Sequence, residues 1–198
     1  IMKYIILMMV LLSSNVYAEN IEKYIPKTVF TGMHYEDKEI TLKTPRTVEE
    51  FYKLEKLAEK GNADANFLLG RLYSDSALVR SERDYQMAKY YYEKALDLDK
   101  NHMLASYWLG GIYKYAGRDK QDVKKAMELY EKAGSLGFIR AYDNIAVTYL
   151  HGDNDVPQDL EKAKIYFQKM ADMGDEESKS ILEHWDIIMI QQGYKEPD

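Results

Sequence analysis

The chain has 198 residues, with 27 Lys and Arg against 33 Asp and Glu, a net charge of −6 and no cysteine. That length suits one ordinary domain or one short array of repeats, and an acidic balance without a block of basic residues argues against nucleic acid or an anionic membrane surface as partner. With no cysteine, an exported form of this chain must be held together by packing and not by disulfides.

The first elements in chain order are not part of a fold. Lys3 is followed by an apolar run, Tyr4 to Leu12, then by Ser13, Ser14, Asn15 and Val16-Tyr17-Ala18, with small residues where a signal peptidase reads. Too short to span a bilayer, the segment 1–18 reads as a secretory signal peptide cleaved after Ala18, with no membrane insertion of the mature chain. Residues 19–46, with Pro26, Gly32 and Pro45 and only short β-prone runs, are expected to form an extended arm.

At Thr47 the pattern becomes helical. Thr47-Val48-Glu49-Glu50 is a capping box, and Phe51, Leu54, Leu57 and Ala58 recur at helical spacing up to Gly61. Three stretches then repeat one pattern: Ala65 to Tyr73, Ala105 to Tyr113 and Ala141 to Tyr149 each carry Ala, then Leu or Ile, then Gly or Ala, then Tyr. Each is followed by a second pattern, Asp84/Ala88/Tyr91, Asp122/Ala126/Tyr130 and Asp159/Ala163/Tyr166. A period of roughly 36 to 40 residues with two helical halves per unit is the signature of a helical solenoid. The expected fold is all-α, a right-handed superhelix of antiparallel helix pairs over residues 47–192, about three full repeats with half-repeat caps. Gly61, Gly137 and Gly174 mark turns between repeats that need the left-handed region, and Asn101 holds the same place before Ala105. Ser81, Asp119 and the Pro157 region are expected caps for the second helices, with Asp84, Asp122 and Asp159 in their first turns. A last helix from Asp175 to Ile190, with Ile181, Leu182, Trp185, Ile188 and Met189 on one face, would close the core before a tail at 193–198.

The motif A-x-x-x-L-G-x-x-Y, a loop, D-x-x-x-A-x-x-x-[YF] and a closing Gly resembles the Sel-one-like repeat, a relative of the tetratricopeptide repeat, over roughly residues 48 to 190. The junction Tyr91 to Asn101 is closer to the tetratricopeptide form, and the loop from Ser74 to Arg83 lacks the glycine of the family pattern. Many secreted members carry a cysteine pair per repeat; this chain has none, so the properties of that subgroup do not transfer.

Catalytic signatures are missing from the sequence: there is no H-E-x-x-H, G-x-S-x-G, S-x-x-K, P-loop or G-x-G-x-x-G. His34, His102, His151 and His184 lie in unrelated contexts, and Asp153-Asn154-Asp155 lacks the later Gly and Glu of a calcium loop. No metal, cofactor or enzymatic activity is expected. With Ala65, Leu69, Gly70 and Tyr73 facing the core, the opposite side of each first helix carries Phe67, Leu68 and Arg71, then Tyr107, Trp108, Gly111 and Lys114, then Asp143 and Asn144. In tetratricopeptide-like arrays the first helices line the concave face. Those aromatics therefore suggest a groove for a protein or peptide, with Arg71 and Lys114 as charge partners. The function expected is a periplasmic or secreted interaction module of adaptor or regulator type. The alternative, which the resemblance to small exported members implies, is an immunity protein against a type VI secretion lipase or another antibacterial effector; an envelope hydrolase has no motif behind it.

Overall fold

The computed structural model describes residues 42–74, 82–115, 121–153 and 155–193; among these, regular structure is helical apart from one bridge between Asp153 and Val156. The signal segment, nearly all of the arm, the tail 194–198 and the expected caps Ser81 and Asp119 lie outside the described residues.

Helix α1, Val48–Glu59, starts where the capping box places it. Thr47 accepts from the Glu50 amide at 3.2 Å, and the Glu50 carboxylate reaches back to the Arg46 amide at 2.6 Å. Phe51, Leu54 and Ala58 are buried, whereas Leu57 is left on the surface. Three helix pairs follow: α2, Ala63–Ser74, with α3, Glu82–Leu98; α4, Met103–Tyr115, with α5, Gln121–Ser135; and α6, Ile139–His151, with α7, Leu160–Asp172. Each helix packs on its neighbours in sequence, and α2 also reaches α4 in the next repeat. Because no repeat can bury its apolar face alone, the core runs continuously from Phe51 to Trp185.

The small-residue column lets the two helices of a pair approach closely. A Cβ on Gly70 would sit 2.6 Å from the Tyr92 ring, and one on Gly110 would sit 2.8 Å from the Tyr130 ring and 3.2 Å from the Ala126 carbonyl. The third repeat has Ala146 in that column and Phe167 in place of the tyrosine, both buried. Between repeats, Gly137 has φ +108 and Gly174 φ +94, as the sequence predicts. The cap of α7 is Asp159 itself, accepting from the Lys162 amide at 3.0 Å, and not the Pro157 region.

A second capping column escaped the sequence analysis. Except in the third repeat, where Phe138 makes no side-chain cap, the residue three before the first small position caps the first helix: Asn62 accepts from Ala65 N at 2.8 Å, and Asp175 from Ser178 N at 2.8 Å. In the second repeat this residue is His102, buried against the Phe67 ring (5.1 Å between centroids), whose Nδ1 accepts from Ala105 N at 3.2 Å. An imidazole that accepts at Nδ1 carries its proton on Nε2, which lies 3.4 Å from Asp64 Oδ1. Protonation would place a hydrogen on Nδ1 and break the cap. Burial lowers the His102 pKa from its usual 6.5, against the opposing charges of Asp64 and Asp99. The folded state therefore favours neutral His102, and its contribution to stability is lost as pH falls from about 6.5 through the lower folded value. Glu55 acts in the opposite sense. Burial, with Glu59 beside it, raises its pKa to about 7, so its contribution is lost as pH rises through that value. The difference between wild type and His102→Asn, which keeps a capping oxygen, isolates the histidine. In urea titrations between pH 7.5 and 5 the wild type should lose stability relative to His102→Asn, and parallel pH profiles would refute the capping role.

The C-terminal cap differs from the expected single helix. The chain breaks at His184 into α8, Glu176–Glu183, and α9, Trp185–Gln191. The predicted apolar face is nevertheless the one turned inward: Trp185 is buried against Phe167 (5.9 Å between rings), with Ile181, Leu182, Ile188 and Met189 half-buried beside it.

Candidate functional site

The structure divides the predicted groove residues into two groups. Phe67, Leu68 and Arg71 do not line an open surface. Phe67 is 0% exposed, packed between the rings of Tyr92 and His102, and Leu68 is buried too. Every residue of α2 from Ala65 to Tyr73 is buried, because this helix has α1 and α3 on its sides and α4 beyond. A helix enclosed on all sides has no free face, so a sector argument that leaves its back to solvent fails there. Arg71 is buried with its guanidinium carbon 3.5 Å above the Trp108 ring, a cation–π contact that ties the first repeat to the second.

The second group does reach the surface, on α4 and α6. Trp108 and Tyr107 are half-buried and meet edge to face at 5.4 Å, and Tyr107 also packs on Phe138 and Tyr130. Beyond them the face opens. Tyr115 is 70% exposed and its hydroxyl donates to Asn144 Oδ1 at 3.5 Å, a long bond; Asn144 Nδ2 is held in turn by the Arg140 carbonyl at 3.0 Å. Lys114 crosses between the repeats, its Nζ donating to Thr148 Oγ1 at 2.7 Å, and Thr148 donates to the Asn144 carbonyl at 2.6 Å. Val147, 39% exposed, lies on the same helix one turn from Asp143. Lys114, Asn144, Tyr107, Trp108 and Asp143 are thus brought to one surface spanning the second and third repeats.

Electrostatically the surface is balanced and partly dehydrated. Burial lowers the Lys114 pKa, and Asp153 and Asp143 pull it back up; burial raises that of Asp143, with Glu177 and Asp175 adding to the rise and Lys114 opposing it. Tyr115 is the residue that sequence reasoning missed. It lies one turn beyond Gly111 and directly after Lys114, the last residue of the predicted column on this helix, so the column was cut one residue short of it. Among the described residues no group of three or more His, Asp or Glu is placed to hold a metal ion, and no helix is long and apolar enough to cross a membrane. A surface of aromatic, amide, ammonium and carboxylate groups is suited to holding a polypeptide.

Comparison with known families settles the ancestry of this arrangement. The Sel1 repeat model matches residues 63–100, 104–138 and 139–175, the three helix pairs described above. The chain belongs to the Sel1 repeat family. Sel1 repeats generally mediate protein–protein interactions. Among solved structures, a Sel1 repeat protein from Oxalobacter formigenes is similar over 70% of this chain and 100% of its own, with 25% identity and a TM-score of 0.51. The protective antigen c5321 of uropathogenic Escherichia coli strains, which displays the same repeat fold, is 26% identical with a TM-score of 0.58; 76% of this chain matches, spanning 31% of that protein. MamA is 26% identical over 65% of this chain and 69% of its own, with a TM-score of 0.50. No curated protein matches.

Proposed function

We propose that this Sel1 repeat chain is an exported interaction module of adaptor or regulator type that holds a protein partner along the concave face formed by its first helices. The contact would centre on α4 and α6. The observation that carries this reading is Tyr115, an aromatic left 70% exposed beside the Asn144 amide. Exposed aromatics with a polar handle at the centre of a surface are the usual anchors of protein interfaces. Export rests on Lys3, the apolar run to Leu12 and Val16-Tyr17-Ala18.

The test is a capture experiment with the full chain expressed in a bacterium and recovered from the periplasm, where N-terminal sequencing should begin at Glu19. Tyr115→Ala combined with Asn144→Ala should weaken the captured complex by about 2 kcal/mol, as expected for an anchor and its support, with melting unchanged. Undiminished binding by the double variant would remove the proposed face. An antibacterial effector lipase as the captured partner would narrow the module to an immunity protein.

A further inference from the structure

The imidazole buried between the first two repeats is left half satisfied. His102 is 7% exposed, its ring lies against Phe67 of α2, and its Nδ1 is taken up as the acceptor for the Ala105 amide. Nε2, which then carries the proton, is buried and makes no hydrogen bond among the described residues. Asp64 Oδ1 lies 3.4 Å from it on α2, close enough to pair with a charged ring but not hydrogen-bonded to the neutral one. A buried N–H without a partner opposes folding, and Asn62 shows that the first repeat starts the equivalent helix with an amide oxygen instead.

The same geometry gives a charged ring a different resting place. An imidazolium donates from both nitrogens, so it cannot accept from Ala105 and would set one N–H against another. At Nε2, however, the Asp64 carboxylate supplies a counter-ion. The charged groups that act on the ring are Asp64 of α2 and Asp99 in the turn after α3; Tyr92 of α3 packs on the Phe67 ring, and α4 itself has no charged side chain before Lys114. Enclosure lowers the pKa of the ring below its usual 6.5 against the pull of both carboxylates, so the closed joint favours the neutral form and acid favours an open one. The backbone is tied to this residue as well, since the Ser106 amide donates to the His102 carbonyl at 3.1 Å.

We propose that His102 and Asp64 form an acid-sensitive joint: uptake of one proton turns the imidazole from the Ala105 amide to the Asp64 carboxylate, and the first turn of α4 opens while the repeats stay folded. Tyr107 and Trp108 follow in the next turn, and Arg71 of α2 lies over the Trp108 ring at 3.5 Å. Opening the joint therefore loosens the end of the concave face nearest the first repeat. No partner is involved, so the switch stands or falls apart from the binding role of that face.

Amide exchange resolved by NMR on the full chain, corrected for the pH dependence of unprotected amides, tests the joint. Ala105 and Ser106, the two amides that depend on residue 102, should lose protection about tenfold between pH 7.5 and 5, as linkage requires of a histidine that titrates near 6.5 when released and lower in place. Amides of α5 should keep theirs. His102→Asn, which retains a capping oxygen, should show no such loss, and Asp64→Asn should shrink the loss because the released cation has no counter-ion. Protection at Ala105 and Ser106 that does not change with pH, a loss shared by His102→Asn, an equal loss in α5, or an Asp64→Asn chain that responds as wild type does would each overturn the proposal.

Discussion

Phe67→Ala should destabilise the chain by about 3 to 5 kcal/mol, the cost of truncating a fully enclosed aromatic in a core. Phe67 is 0% exposed and lies between Tyr92 of the first repeat and His102, the cap of α4, so its removal leaves a cavity at the joint between two repeats. In a solenoid, stability is shared between units and the interfaces that couple them, and damage to a joint uncouples the first repeat from the rest. Urea unfolding is the appropriate measurement. A variant that unfolds like wild type but binds its partner poorly would return Phe67 to the groove and refute the packing described here.

Gly110→Val should also destabilise the chain, by less and for the opposite reason. A Cβ at this position meets the Tyr130 ring at 2.8 Å and the Ala126 carbonyl at 3.2 Å, and the backbone contact cannot be relieved by a rotamer change. Overpacking of this kind costs about 1 to 3 kcal/mol, and the spacing of α4 and α5 has to widen to accommodate it. Gly111→Ala is the control, since its Cβ would find only the Tyr130 hydroxyl at 3.8 Å. A drop in melting temperature for Gly110→Val but not for Gly111→Ala is expected; equal drops would show that the Gly110 column does not set the helix approach.

Most of the fold was legible because a repeat states each structural requirement three times. The Ala, Gly and Tyr columns fix the helix approach, and Gly137 and Gly174 fix the turns, so period and register follow from the residues alone. Capping was legible at Thr47, where a capping box announces it, and was missed at Asn62 and Asp175, which have no such box behind them, and at His102, which caps through an imidazole nitrogen that no composition rule anticipates. The break at His184 was likewise hidden, because Trp185, Ile188 and Met189 keep helical spacing across it.

The candidate site was half legible, and the reason is the position of each helix in the stack. The same column faces solvent on α4 and α6 and is enclosed on α2, because α2 has helices on every side. A single-helix projection cannot distinguish these cases, since it knows the angle of Phe67 and not what lies at that angle. Tyr115 and Thr148 entered the site through contacts between elements: Lys114 to Thr148 and Tyr115 to Asn144.

Hydrogen–deuterium exchange of the chain with and without its captured partner tests the central claim most directly. The account predicts new protection on α4, Met103–Tyr115, and α6, Ile139–His151, with α5 and α7 unchanged. Protection confined to α5, α7 or the α8–α9 cap would show that the partner is held elsewhere.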